Sequence, residues 1–294
     1  MAKISQETLG KEAQLFKQLK EAGRLLVAFS GGVDSSYLAW AAKQALGDDC
    51  LAVTAVSPSY PQSHRGMAEE IVRDFRIPHR FIETAEMERA EYRRNAADRC
   101  YYCKTELFER MEEVLEGSDF DKIAYGINRD DQGDFRPGHR AAEEHRILSP
   151  LLDANLSKEE IRALSYRAGL PCWDLPASAC LASRLPYGTE VTSERLSQVE
   201  EGEERLRAMG FRQVRLRHHG DLARIEIDPA EMQDGVSAEK MEEISAAVRP
   251  LGFKWVCLDL DGYQLGSLNR ALPASHTISL RIPVSGSALD SSEQ

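Results

Sequence analysis

A chain of 294 residues with 42% hydrophobic content can bury one large core or two modest ones. Its 37 basic and 48 acidic residues give a net charge of -11, which excludes broad non-specific nucleic-acid binding but leaves room for a local basic pocket. No apolar run approaches ~18 residues, and Met1-Ala2-Lys3-Ile4-Ser5-Gln6 carries no apolar core, so neither a membrane span nor a secretory leader is read. The expected compartment is the cytosol. There the six cysteines, Cys50, Cys100, Cys103, Cys172, Cys180 and Cys257, are expected to be thiols, ligands or catalytic groups rather than disulfides.

The first predicted helix covers residues 6–22, with Leu9, Ala13, Phe16 and Leu19 on one face and Gly23 as its stop. A buried strand, Leu25–Phe29, runs into Ser30-Gly31-Gly32-Val33-Asp34-Ser35-Ser36, a glycine turn opening a helix that ends near Leu46. Then come a strand at Leu51–Val56, a helix from Ser63 to about Phe75, a strand at His79–Ile82 and a helix from Cys103 to about Leu115. Lys122–Gly126 is the fourth strand and Ile147–Leu152 the fifth; Ser157 and Glu160 form a capping box for a helix ending at Gly169. This alternation predicts an α/β fold with a parallel sheet and ligands beyond the carboxyl ends of its strands. After residue 184 the pattern changes to a smaller α+β unit: a helix over Thr192–Met209, strands at Gln213–Arg217 and Ala223–Ile227, a helix at Ala238–Val248 and a strand at Trp255–Asp259. The expected division is 1–184, 185–282 and a disordered Ser-rich acidic tail over 283–294.

The glycine turn is built to hold a polyphosphate. Gly31 and Gly32 permit a tight turn and close approach, Ser30, Ser35 and Ser36 add hydroxyls, and the helix start aims free N–H groups at an anion. Gly-Lys-Ser/Thr is absent, so this is not the loop that grips β- and γ-phosphates with a lysine. Ser57, after the second strand, and Gly126, after the fourth, fall at the same predicted sheet edge. Asp130, Asp131 and Asp134 follow Gly126 and would repel one another without a cation; Mg²⁺ carried on a nucleotide suits them, although a solvated polar turn has the same composition.

Cys100-Tyr101-Tyr102-Cys103 is a Cys-x-x-Cys with no second pair to complete a structural zinc site. Cys180 lies in Pro176-Ala177-Ser178-Ala179-Cys180-Leu181-Ala182-Ser183-Arg184, among small residues, with Arg184 close enough in sequence to favour its thiolate. Arg215 and Arg217 alternate with apolar residues and share a strand face, a pair suited to a phosphate monoester or to solvent. Glu203 and Glu226 are candidates for contact with a divalent metal or the substrate; a solvated surface is the other reading.

Together these segments resemble the PP-loop, or ATP pyrophosphatase, superfamily, whose members split ATP into AMP and pyrophosphate. Within it they resemble the ATP-dependent sulfur transferases that make pyridinium-3,5-bisthiocarboxylic acid mononucleotide, precursor of the nickel-pincer nucleotide of lactate racemase. The resemblance implies that a carboxylate of pyridinium-3,5-biscarboxylic acid mononucleotide is adenylated by ATP with Mg²⁺ and that sulfur then displaces AMP. It implies a small mononucleotide substrate held by Ser183, Arg184, Arg215 and Arg217, and assembly into homohexamers built from trimers. Some members consume the cysteine at the position of Cys180, leaving dehydroalanine; others hold a [4Fe–4S] cluster on three cysteines. Here Cys100, Cys103 and Cys180 are all present, which favours the cluster. Other PP-loop readings are a tRNA thiolase, which needs a basic RNA face, and an amidating synthetase, which needs no reactive Cys180. A non-catalytic adenylate-binding regulator would bind ATP without turnover.

Overall fold

The computed structural model describes residues 4–133, 137–176, 179–235 and 237–264. Asp134 of the acidic motif, Ala177 and Ser178 of the cysteine segment, and the tail expected to be disordered lie outside the described residues.

The first half runs α1 (Gln6–Ala22), β1 (Leu25–Ala28), α2 (Val33–Leu46), β2 (Cys50–Val56), α3 (Gln62–Asp74), β3 (His79–Glu83), α4 (Ala90–Arg93), α5 (Arg99–Glu116), β4 (Lys122–Tyr125), α6 (Pro137–Glu144), α7 (Pro150–Asp153) and α8 (Lys158–Arg167). The strands form one parallel sheet in the order β3-β2-β1-β4. All of β1 is buried because helices cover both faces. Its two-residue period sends Leu25 and Val27 into a core with Leu15, Leu19, Tyr37, Ile161 and Leu164. Leu26 and Ala28 point into the opposite core, with Phe108, Met111 and Ile123. The chain steps outward from β1 to β3 and returns beside β1 as β4, so the carboxyl ends of β1 and β4 flank the switch point where such sheets bind ligands.

The fifth strand expected at Ile147–Leu152 does not form. Leu148 makes a single parallel bridge to Ala124, and α7 begins at Pro150. Proline supplies no N–H for a ladder and favours a first helical turn, which explains the early stop.

The second half runs α9 (Ser193–Ala208), β5 (Val214–His219), β6 (Leu222–Ile227), α10 (Pro229–Gly235), α11 (Ala238–Val248) and β7 (Trp255–Leu258). Its sheet has the order β5-β6-β7, antiparallel between β5 and β6 and parallel between β6 and β7. Val199 and Leu206 of α9 pack on Val214, Leu216, Ile225 and Ile227. The same core takes in Tyr92, Leu181 and Ala182, all N-terminal to residue 185. Among the described residues no helix is long and apolar enough to cross a membrane.

Candidate active site

The turn after β1 is constrained at Gly31. Its φ is +74°, and a Cβ there would meet the His64 carbonyl oxygen at 3.0 Å and the Ala68 amide nitrogen at 3.2 Å. Gly32 has ordinary extended geometry and N-caps α2 with no side-chain bond, so the first amides of that helix keep no side-chain acceptor there. Ser35 stitches the turn: the Ser30 amide donates to its Oγ at 3.1 Å, the Ser30 and Ser35 hydroxyls lie 3.0 Å apart, and Ser35 donates to the Gly32 carbonyl at 3.2 Å. Ser36 departs from the expected role. It is 0% exposed, so its hydroxyl is not at the binding surface. A Cβ at Gly126 would come within 2.9 Å of the Ser35 amide nitrogen, so only glycine lets the β4 loop press against the start of α2.

Asp34 is paired with Lys158, Oδ2 to Nζ at 2.6 Å, and its Oδ1 is buried without a hydrogen-bond partner. Burial pushes the Asp34 carboxyl up and Lys158 opposes the shift. The Lys158 amide donates to Asp130 Oδ2 at 2.8 Å, tying α8 to the acidic turn. Within that turn the Asp130 amide donates to Asn128 Oδ1 at 2.9 Å and the Asn128 amide donates to Asp131 Oδ2 at 3.1 Å. Asp130 and Asp131 thus shape a polar turn beside the phosphate loop. Among the described residues no group of three or more His, Cys, Asp or Glu side chains is gathered as a metal centre. Sequence reasoning passed over Lys158. Its signal was a cation in the first turn of a helix, where the macrodipole disfavours positive charge unless an anion sits nearby.

A cavity of about 200 Å³ opens beside this loop, lined among others by Ser30, Ser35, Gly126, Glu86, Cys103 and Cys180. Ser57 also faces it, but donates its hydroxyl to the buried Glu86; Ser59 donates to Glu86 Oε1 at 2.8 Å. Glu86 lies in a short acidic turn after β3 and carried no motif. The Leu181 amide donates to the Ser59 carbonyl at 3.0 Å, holding Cys180 at the cavity wall. Helix α5 begins at Arg99 rather than at Cys103, which puts Cys100 and Cys103 in its first turns, one exposed and one half-buried. Burial first, then Glu86 and Cys180, push the Cys103 thiol well above its ordinary value.

Arg184 is 1% exposed, and its guanidinium binds Glu203 through two parallel bonds, Nε to Oε1 at 2.8 Å and Nη2 to Oε2 at 3.1 Å. Its remaining nitrogen donates to the Ala179 and Cys180 carbonyls at 2.7 and 3.1 Å and to Ser183 Oγ at 3.0 Å. Arg217 donates to Glu226 Oε2 at 2.6 Å and to the Ser183 carbonyl at 3.1 Å. The candidates Ser183, Arg184, Arg217, Glu203 and Glu226 therefore meet in one buried network, with the two glutamates occupied by arginines. Arg215 is also buried rather than solvent-facing; burial first, then Arg184, lower it to about 10. His64, from the first turns of α3, faces the same group: burial and then Arg184, Arg207 and Arg215 push it down to about 4. The first turns of α3 thus back the Gly31 turn and carry a histidine that feels the charge of the arginines.

A buried strand, a glycine turn and a helix at the switch point of a parallel sheet define a PP-loop α/β protein. No protein-family model matches the chain. Over 162 residues, 50% of the chain and 41% of the relative, it is 27% identical to argininosuccinate synthase of Methanopyrus kandleri. Over 252 residues, 86% of the chain and 94% of the relative, it is 42% identical to the uncharacterized protein slr1717 of Synechocystis. Over 263 residues it is 32% identical to the pyridinium-3,5-bisthiocarboxylic acid mononucleotide synthase of Lactiplantibacillus plantarum, covering 89% of the chain and 95% of that protein. The chain belongs to the family of that synthase and is an enzyme of its type.

Proposed function

We propose that this enzyme adenylates the two carboxylates of pyridinium-3,5-biscarboxylic acid mononucleotide one after the other with ATP and Mg²⁺ and each time replaces AMP by sulfur, giving the bisthiocarboxylic acid after two rounds. The observation that carries this reading is one cavity lined by both the phosphate loop, at Ser30 and Ser35, and the thiols of Cys103 and Cys180. In the first half-reaction a carboxylate oxygen attacks the α-phosphorus and pyrophosphate leaves toward the amides of Gly32 and α2. Lys158 and Asp34 lie beside that turn, where the lysine can meet phosphate while Asp34, with Asp130 or Asp131, meets the magnesium ion. In the second half-reaction sulfur attacks the acyl carbon and the C–O bond to AMP breaks. Arg215, crowded by like charges, is the arginine with most to gain from the substrate phosphate, with Ser183, Arg184 and Arg217 behind it.

Thiolate sulfur is the ligand chemistry a [4Fe–4S] cluster takes, but among the described residues Cys100, Cys103 and Cys180 are not gathered as a metal centre. Cys100, Cys103 and Cys180 would hold it, and when bound it would supply a transferable sulfide. Cys180 as its own sulfur donor is the competing source. Division into a nucleotide domain and a smaller substrate-binding domain, and assembly into a homo-oligomer, belong to the same proposal. Supplied with ATP and the biscarboxylic mononucleotide, the enzyme should release AMP and pyrophosphate, and Cys180→Ala should make no thiocarboxylate. Release of ADP and phosphate would refute the assignment. Intact mass after one anaerobic turnover separates the sources: loss of one hydrogen sulfide marks Cys180, and an unchanged mass with bound iron marks the cluster.

A further inference from the structure

Glu86, in the short acidic turn after β3, is 2% exposed and lines the cavity beside the phosphate loop. Its hydrogen bonds come from two neutral hydroxyls: Ser57 and Ser59 both donate to Oε1 and lie 3.0 Å from each other. Among the described residues Oε2 takes no hydrogen bond, and no lysine or arginine forms an ion pair with the carboxylate. Two hydroxyls orient a carboxylate but leave its charge unbalanced. Burying such a charge without a cation is costly, which argues for a positive group that arrives with a ligand.

The rest of the wall narrows that group. Among the described residues Glu86 and Lys104 are the only acidic and basic side chains that line the cavity. Phosphate is repelled by Glu86. A divalent ion would find a single carboxylate here, with no group of three or more His, Cys, Asp or Glu gathered among the described residues. The adenine of ATP could donate to Oε2 but brings no charge. An organic cation meets both needs. The same cavity of about 200 Å³ is lined by Ser30 and Ser35 at one side and by Cys180 at another. A carboxyl carbon activated at the phosphate loop and attacked by sulfur lies within these walls, and in an aromatic acid that carbon is bonded directly to the ring.

We infer that Glu86 is the counter-charge for a cationic ring and determines specificity, selecting an N-substituted pyridinium carboxylate over a neutral aromatic carboxylate. The inference rests on the function proposed above and deepens it. Oε1 stays with the two serines and Oε2 meets the ring, while Lys104 offers the opposite charge to carboxylate. The wall thus matches a ring acid that carries charge of both signs.

Nicotinic acid mononucleotide and its 1,4-dihydro form test this, because they share ribose, phosphate and carboxylate and differ in ring charge. In calorimetric titrations of the full-length enzyme, the wild type should bind the cationic form about 10- to 100-fold more tightly, the range for a contact with a charged group. Glu86→Gln keeps an acceptor for both serines. It should bring the two forms to within about threefold of each other, by weakening the cationic form alone, with ATP affinity unchanged. Its thermal midpoint should be equal or higher, because a buried charge is gone. Equal binding of the two forms by the wild type would overturn the inference without any variant. A loss in Glu86→Gln that is the same for both forms, or that falls on ATP, would overturn it too. A wild type that binds neither form and releases no AMP with the biscarboxylic mononucleotide would instead sink the reading beneath it, and the inference with it.

Discussion

Gly31 shows how much a single position in the phosphate loop carries. A Cβ there would have to accept a left-handed backbone and a contact at 3.0 Å with the backbone of α3, which has no flexible end to swing away. Gly31→Ala is expected to cost about 1–3 kcal/mol of stability and to abolish ATP–pyrophosphate exchange; urea unfolding and exchange assays on one preparation check both. Gly32, with ordinary dihedrals and a Cβ position no closer than 3.5 Å to Ser30 Oγ, should tolerate alanine structurally. Both glycines were legible from the sequence as a turn. Which of them is sterically required was not, because the obstacle comes from α3, more than thirty residues further along. Ser36 has the same lesson: its place in a motif did not reveal that its side chain faces the core.

Among the elements, α8 was read most fully in advance. Its capping box is present, with the Glu160 amide donating to Ser157 Oγ at 3.2 Å and the Ser157 amide donating to Glu160 Oε2 at 2.9 Å. Burial opposes the Glu160 charge, but the Ser157 amide and then Lys11 hold its carboxyl down at about 2. A carboxyl depressed from 4.5 contributes stability that is complete above that value and is lost as the pH falls toward 2. Glu160→Gln should therefore flatten the fall in urea midpoint between pH 5 and 2 relative to wild type; identical acid limbs would refute the linkage. The abortive fifth strand shows the opposite case. Ile147–Leu152 is apolar enough for a strand, and only Pro150 argued against it. Local signals, caps and prolines, decided both elements.

At the scale of the molecule, what could not be read was partnership. Arg184 was expected near Cys180 and Glu203 on a helix, yet nothing in the spacing joined them into a buried bidentate pair between the cysteine segment and α9. Such pairings depend on the packing of one core against another, and a single sequence records each partner without the other. Removing one member of a buried ion pair costs about 3–5 kcal/mol, so Arg184→Met should unfold the protein at markedly lower urea. Glu203→Gln in the same chain should recover part of that loss, and additive effects in the double-mutant cycle would show the pair to be uncoupled.

The anchoring of residue 180 has a consequence for the life of the protein. The bonds that hold it run through the main chain, from the Leu181 amide to the Ser59 carbonyl and from Arg184 to the Cys180 carbonyl. Its side chain takes part in none of these bonds. If the sulfur is drawn from this residue, a spent molecule keeps its fold, its melting temperature and its grip on ATP, and only its cargo is gone. Exhausted copies would then accumulate as competitors for the substrate, and adding Cys180→Ala protein to limiting mononucleotide should slow the intact enzyme in proportion to its share.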